Sequence, residues 1–431
     1  MTEAVQHVPR SANWMESRIS KTSDALDRAF EQCLTGHVLV ERDGKRVRLQ
    51  DGTDAIEFVS CSYLGLEQHH DLAAAATTAV RRFGVHFSIA RNRARPSYLG
   101  ELEALLSDIY RGNRAVAFGT VSSVHLGVLP LLGAGALPSY PVADGGAVFL
   151  VERTAHASMQ VLRGVMQQIG PVHRFDMTDA ESLPRLLGQA AADGRTPIVL
   201  VDGVGSMGGL TDVTGLHRAV EPLGGHLYVD DAHGTSIAGE RGAGYAFDVF
   251  GDQLPSNALI AGSLSKAFGG IGAFALVPSQ ADAAVLVKFA NPLVFGQSIP
   301  VPVLAATVAA AHLHLDGTVA ALQETLWRNA EEFDRLTGGM LVNAGLRCPI
   351  RAVHLPTEEE ALAVARRLRQ AGVLILPAFF PTVAEGTGLV RFALSALHEQ
   401  SHLQTAADAL APIQPPLRVD GRSAPDPRKV L

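Results

Sequence analysis

The chain has 431 residues, is 47% hydrophobic and 18% charged, and carries a formal charge of −7. That length suits one large and one smaller domain with ample material for a core, while an acidic balance with no basic arm argues against nucleic-acid binding. Cys33, Cys61 and Cys348 are scattered without metal-ligand or disulfide spacing, so no metal site is expected and a reducing, cytoplasmic setting fits.

Residues 1–54 read as an N-terminal arm. Its start, MTEAVQHVPRSANWME, is polar and not a signal peptide; DALDRAFEQCL has helical spacing, and VLVERDGKRVRLQDG suggests a short hairpin. From 55 to 300, apolar strand-like runs alternate with helical patterns. The clearest strands are AVAF (115–118), AVFLV (147–151), PIVLVDG (197–203), HLYVDD (226–231), ALIAGS (258–263) and AFALV (273–277). This rhythm predicts an α/β fold with a mostly parallel central sheet covered on both faces. VSSVHLGVLPLLGAGALPSYPVA is broken by His, Ser, Gly and Pro, so it reads as a buried helix and its exit loop, not a membrane span. Residues 301–412 form a smaller α+β C-terminal domain, with strands RAVHL and LVRFALS around the helix EEEALAVARRLRQAG. Residues 413–431, rich in Pro and charge, read as a flexible tail.

In open parallel sheets ligands bind beyond the carboxyl ends of the strands, so the residues just after each strand matter most. HLYV is followed by DDAHGTSIAGERGAG, which puts Asp230 and Asp231 at a strand end and His233 just beyond. A buried strand-end carboxylate needs a cationic or hydrogen-bonding partner; two polar caps are the alternative. ERTAHAS puts His156 at another strand end, where a lone histidine is more often structural than catalytic. DGVGSMGG supplies Asp202 and Ser206. Thr120, Val121 and Ser122 open a helix whose backbone N–H groups suit a phosphate, although a plain N-cap looks much the same. In LIAGSLSKAFGGIGAFALV, Lys266 stands alone between two core strands. A snorkelling surface lysine fits poorly between SLS and AFGGIG. An amine in an apolar, ordered site has a lowered pKa, is nucleophilic, and can form a Schiff base with an aldehyde cofactor. Such a lysine with a strand-end aspartate, a histidine and a phosphate cup is the set that pyridoxal 5′-phosphate requires.

VDDAHGTSIAGERGAG followed by GSLSKAFGGIGAF, together with FVSCSYLGLEQHH, ERTAHAS, DGVGSMGG and LPAFFPTVAEGTGLVRFALSALH, resembles the α-oxoamine synthases across roughly residues 35–410. The resemblance implies the fold type I (aspartate-aminotransferase-like) architecture of pyridoxal-phosphate-dependent transferases. It implies that Lys266 is the Schiff-base lysine, Asp230 the partner of the pyridine nitrogen, and His156 the ring stacked on the cofactor. Ala232 would pack beneath the ring and His233 lie near its hydroxyl. Ser206 and Ser263 fall where the family places polar ligands to the ring oxygen and phosphate, and Arg391 matches the arginine that holds the substrate carboxylate.

Several positions depart from the family pattern. Thr120-Val121-Ser122 replaces the usual Ser-Gly-aromatic phosphate turn, Cys61 replaces an Asn, and Gln297 replaces a Thr that reaches the partner subunit's phosphate. The segment FSIARNRARPSYLGELEAL carries Arg91, Arg93 and Arg95 and lacks the family's early glycines; in length and lack of glycine it looks more like the aminoketone quorum-signal synthases of the family. These arginines either bind phosphates of an acyl carrier or a second carboxylate, or form a solvated charged loop.

The implied activity is acyl transfer. A small α-amino acid condenses with an acyl thioester, on coenzyme A or an acyl carrier protein, usually with decarboxylation, to an α-aminoketone. Lyase, aldolase-like, β-replacement or aminotransferase chemistry on the same cofactor is the alternative. A non-catalytic subunit is disfavoured by the presence of Lys266, Asp230 and His156 together. The family is generally homodimeric with a shared active site, and the departures fit a role in secondary metabolism.

Overall fold

A computed structural model describes residues 10–411 apart from positions 252 and 381; the expected tail, 413–431, lies outside the described residues. A 22-residue helix, Arg10–Glu31, comes first. The strands β1 (Leu39–Asp43), β2 (Arg46–Leu49) and β3 (Asp54–Glu57) follow as an antiparallel meander.

The central sheet is built from β4 (Arg114–Phe118), β5 (Ala147–Glu152), β6 (Val172–Phe175), β7 (Thr196–Asp202), β8 (His226–Asp230), β9 (Ala258–Ser263) and β10 (Ala273–Val277). Their spatial order is β4-β10-β9-β8-β7-β5-β6. Pairing from β9 through β6 is parallel, and β10 runs antiparallel to both its neighbours. β5, β7, β8, β9 and β10 are buried along their whole length. This is why they read as continuous apolar runs rather than alternating ones: helices cover both faces. β6 was not among the expected strands. Its sequence VHRF mixes charge with apolar residues because it is the sheet's edge, half-exposed along most of its length.

The C-terminal part holds β11 (Ile350–Leu355), β12 (Val373–Leu374), β13 (Leu376–Ala378) and β14 (Gly388–Ala393). β11, β14 and β13 form an antiparallel sheet, whereas β12 joins β3 in parallel and so ties the first strands to the last segment. The helix Glu358–Gln370 starts with a Thr357–Glu360 capping box, as its EEE start foreshadows. The helix Val301–Leu315 packs on His70–Phe83 and Ser97–Ile109, against the large sheet's own helices. Among the described residues no single helix is long and apolar enough to cross a membrane. The expected buried helix is Val121–Gly133, directly after β4.

Candidate active site

Parallel pairing brings the ends of β5, β7, β8 and β9 to one edge of the sheet, and the expected residues lie there. Asp202 and Asp230 face each other in register as the last residues of β7 and β8. Lys266 lies in the nine-residue link between β9 and β10, whose ends are clamped by register pairing of Ser263 with Ala273. Ser265 locks this link: its hydroxyl donates to the Gly272 carbonyl at 3.0 Å and accepts from the Gly272 N–H at 3.0 Å. At Gly269, with φ of 83°, a Cβ would stand 2.4 Å from Leu66 Cβ, so the turn that presents Lys266 requires glycine. Burial holds the Lys266 amine below its ordinary pKa, as does Arg391, while Cys61, Asp230 and Asp202 pull the other way.

Asp230 is buried. Oδ1 accepts the Ala232 N–H at 3.0 Å, and Oδ2 lies 3.1 Å from His125 Nε2. Burial alone would raise its pKa, but the His125 hydrogen bond, with Lys266 and the Ala232 N–H, holds it below the usual carboxylate value. Asp202 goes the opposite way: burial and the adjacent Asp230 push it well up, against the His156 N–H that it accepts at 3.0 Å. Asp231 points away from this edge into a cage of glycines, where a Cβ on Gly234 would stand 2.0 Å from its Oδ1. Burial, with the neighbouring Asp230, raises its pKa well above normal.

His233 is buried with Nδ1 2.7 Å from the Tyr63 hydroxyl. Burial, with the charges of Lys266, Arg391 and His156, holds it neutral, well below its ordinary pKa. His156 caps the short helix Ala157–Gln160 and pairs with Ser158 Oγ at 2.7 Å. Burial lowers its pKa too, opposed by Asp230. Ser263 is buried, its Oγ accepting the Ser265 N–H at 3.1 Å.

Arg391, on β14, is buried and reaches into the same space. Nη1 donates to the Ser206 carbonyl at 2.9 Å, Nη2 to Cys61 Sγ at 3.4 Å, and its buried Nε has no partner. Ser206 therefore meets Arg391 through its backbone carbonyl. Burial would raise the Cys61 pKa, but Arg391, Lys266 and the Tyr63 hydroxyl outweigh it and lower the thiol.

Thr120, Val121 and Ser122 begin the helix after β4. Thr120 Oγ1 accepts the Ser123 N–H at 3.1 Å in a capping box, which leaves the first backbone N–H groups of a 13-residue helix for an anion. Gln297 is exposed, and among the described residues no hydrogen bond joins it to this cluster. The three loop arginines separate. Arg91 turns inward and binds Glu103 with both terminal nitrogens, at 2.7 and 3.0 Å, and the Ala117 carbonyl at 3.0 Å. Its charge is spent inside the fold, contrary to the expectation of a ligand-binding arginine. Arg93 and Arg95 are exposed and, with Lys288, line a surface depression of about 530 Å³.

Two site residues escaped sequence reading. His125 lies in the middle of an apolar helix and Tyr63 inside FVSCSYLGLEQHH. Only their partners, 105 and 170 positions away, mark them.

The donor set fits pyridoxal 5′-phosphate. A depressed amine, a carboxylate held ionised at a strand end, a histidine beside it and a free helix N-terminus converge at one sheet edge. Residues 53–410 match the family model for aminotransferase class I and II. The chain is 32% identical to 8-amino-7-oxononanoate synthase of Geobacter sulfurreducens over 375 residues, covering 86% of this chain and 91% of that one. It is 31% identical to the enzyme of the same name from Saccharophagus degradans, covering 93% and 97%. In three dimensions it resembles serine palmitoyltransferase from S. paucimobilis, with a TM-score of 0.79 at 22% identity over 91% and 98% of the two chains. 8-Amino-7-oxononanoate synthase from Francisella tularensis gives a TM-score of 0.63 at 20% identity over 83% and 97%. The chain belongs to the α-oxoamine synthase family of pyridoxal-phosphate-dependent transferases.

Proposed function

We propose that this enzyme condenses a small α-amino acid with an acyl thioester, with loss of carbon dioxide, to an α-aminoketone. The observation that carries the reading is Arg391: a buried guanidinium beside Lys266 with an unpartnered Nε and, among the described residues, no ion pair. An uncompensated buried cation is costly until an anion arrives, and a planar fork suits the carboxylate of an amino acid.

The cofactor supplies an electron sink for the bond broken at the α-carbon. Lys266 would hold it covalently, and its amine, kept below the ordinary pKa, would remove and return the α-proton. Asp230, kept ionised, holds a proton on the ring nitrogen. His156 would cover one ring face and orient the thioester carbonyl. His233, neutral and fixed by Tyr63, donates or accepts near the ring oxygen, where Ser206 also belongs. Ala232 would pack beneath the ring, while Ser263 and the Thr120–Ser122 turn would serve the phosphate. Cys61 shares Arg391 with the incoming carboxylate, so that position shapes the choice of amino acid. In balance, the α-carbon exchanges its carboxyl group, released as carbon dioxide, for the acyl carbon; the α-proton that is removed is replaced when carbon dioxide departs, and the thioester's sulfur leaves and takes a proton from solvent.

Arg93, Arg95 and Lys288 form the basic entrance for the phosphate groups of coenzyme A or a carrier protein. Phe87, Ile271, Phe289 and Phe295 are large exposed apolar side chains, Phe295 at 84% exposure, which supports a homodimer in which Gln297 serves the neighbouring site. The cysteines, free by geometry, support a cytoplasmic place of action.

The test is to incubate the holoenzyme with a panel of amino acids and acyl thioesters while following thiol and carbon dioxide release. Thiol release that requires one amino acid, with an aminoketone product, is expected. Consumption of the amino acid to a keto acid, aldehyde or eliminated product without thiol release would overturn the reading in favour of lyase or transaminase chemistry.

A further inference from the structure

Two carboxylates, Asp202 and Asp230, stand side by side at the ends of paired strands, and only one of them can be ionised cheaply in so buried a place. Their surroundings differ in charge and in hydrogen bonding: Glu152, at the end of β5, adds its charge to Asp202, and one side chain bonds Asp230 alone. Asp202 accepts a backbone N–H from His156. Asp230 accepts a backbone N–H from Ala232 and, in addition, lies against the His125 ring. That ring is wholly buried between Tyr228 and Asp230, with Nδ1 2.7 Å from the Tyr228 hydroxyl and Nε2 3.1 Å from Asp230 Oδ2. Tyr228 and Asp230 are two residues apart on β8, so their side chains leave the strand on the same face and meet the same ring.

The partners' chemistry fixes the hydrogens. An ionised carboxylate only accepts, so Nε2 carries a hydrogen and donates it to Oδ2. Burial and Asp230 push the Tyr228 phenol well up, so it keeps its proton and donates to Nδ1. The order Tyr228 O–H to His125 and His125 N–H to Asp230 satisfies every buried polar atom of the ring.

We propose that His125, held in one tautomer by Tyr228, is a positioning residue that decides which of the two adjacent carboxylates bears the charge. It selects Asp230, the one facing the cofactor's ring nitrogen, over Asp202. The proposal rests on the reading of Asp230 given above. His125 touches neither the reacting atoms nor the substrate in this arrangement. Its effect passes through Asp230 to the ring nitrogen and so to the strength of the electron sink. The other charged or titratable groups acting on this pair are Lys266 from the β9–β10 link, Asp231 directly after β8, His156 from the loop after β5 and, on Asp202, Glu152 at the end of β5.

The experiment reconstitutes the enzyme with cofactor labelled with nitrogen-15 in the pyridine ring and reads the protonation of that nitrogen by NMR, beside steady-state kinetics. His125→Leu is expected to move the signal toward the unprotonated position. It should lower kcat by about 10- to 100-fold, as loss of a group that orients a charged partner does, with the amino-acid KM within about threefold. His125→Gln, whose amide N–H can still donate to Asp230, is expected to restore the protonated signal and most of kcat. Tyr228→Phe, which keeps the ring's volume, is expected to shift the signal partway. If His125→Leu does not fold, Tyr228→Phe and His125→Gln decide the matter: a wild-type signal in the first with a lost signal in the second overturns the proposal. Asp230→Asn separates the two readings. A signal that responds to Asp230→Asn but not to the His125 and Tyr228 variants overturns the relay alone. A signal indifferent to Asp230→Asn overturns the assignment of Asp230 itself.

Discussion

Arg91 and Arg391 are both buried arginines, at 4% and 5% exposure, and the Nε of each lacks a partner. They differ in what meets the rest of the fork. Glu103 takes both terminal nitrogens of Arg91 and also accepts the Ala117 N–H at 2.9 Å, which pins the loop to β4. Arg391 meets only a carbonyl and a sulfur, and among the described residues no carboxylate pairs with it. A charge compensated within the chain builds the fold; a charge left uncompensated beside a nucleophilic lysine waits for a ligand. Arg351 follows the first pattern, bound by both carboxylate oxygens of Asp334 at 2.6 and 2.8 Å.

The largest expected effect lies at the lysine beside Arg391. Lys266→Ala removes the only amine in the cluster and should cut turnover about a thousandfold or more. It should also abolish the visible absorbance of the lysine-bound cofactor. Borohydride reduction of the wild type should place the label on the peptide containing Lys266; a label elsewhere would refute the assignment. Arg391→Ala comes next. Losing a charge-assisted pair of hydrogen bonds should raise the amino-acid KM by about 100-fold, with cofactor content unchanged. An unaltered KM would mean that the carboxylate is held by another group, and the contrast between the two arginines would collapse.

Arg91→Ala tests the other side of the comparison. It strands Glu103, which is 19% exposed at its side chain, so the cost should fall near the lower end for a broken buried pair, about 3 kcal/mol. Chemical denaturation of the variant measures it. The amino-acid KM should stay near the wild-type value once the protein is folded. A stable variant with an altered KM would reverse the two assignments.

The sequence made one half of this contrast legible. Lys266, Asp230, His156 and His233 each follow an apolar run directly, and such runs are strands when both sheet faces are covered. The strand of Arg391, LVRFALS, is equally apolar, but its place in the site comes from the family resemblance alone. What the sequence hid depends on contacts between distant segments. Arg91 reads like Arg93 and Arg95 until Glu103, nearly two turns into the helix Ser97–Ile109, pairs with it. His125 looks like a polar interruption of an apolar helix until β8 supplies Tyr228 and Asp230. The pairing of Asp202 with Asp230 is a matter of strand register, which no local pattern states. The short strands β12 and β13 have only two and three residues, too few for any periodicity to show.

The smallest effect expected concerns Arg93 and Arg95, which share a sequence run with Arg91 but not its fate. Both are exposed beside Lys288, so solvent screens their charge and the interaction of each with a phosphate should be modest. The double change Arg93→Ala, Arg95→Ala should leave stability and the amino-acid KM untouched. It should raise the KM for the acyl thioester by about three- to tenfold at low ionic strength, a difference that shrinks as salt is added because the Debye length falls from about 10 Å at 0.1 M to 3 Å at 1 M. Measuring that KM at two salt concentrations, with coenzyme A and carrier-protein thioesters side by side, tells which donor the basic entrance serves. If neither KM responds, the two arginines belong to a solvated loop, and the ligand-binding role narrows to Arg391 alone.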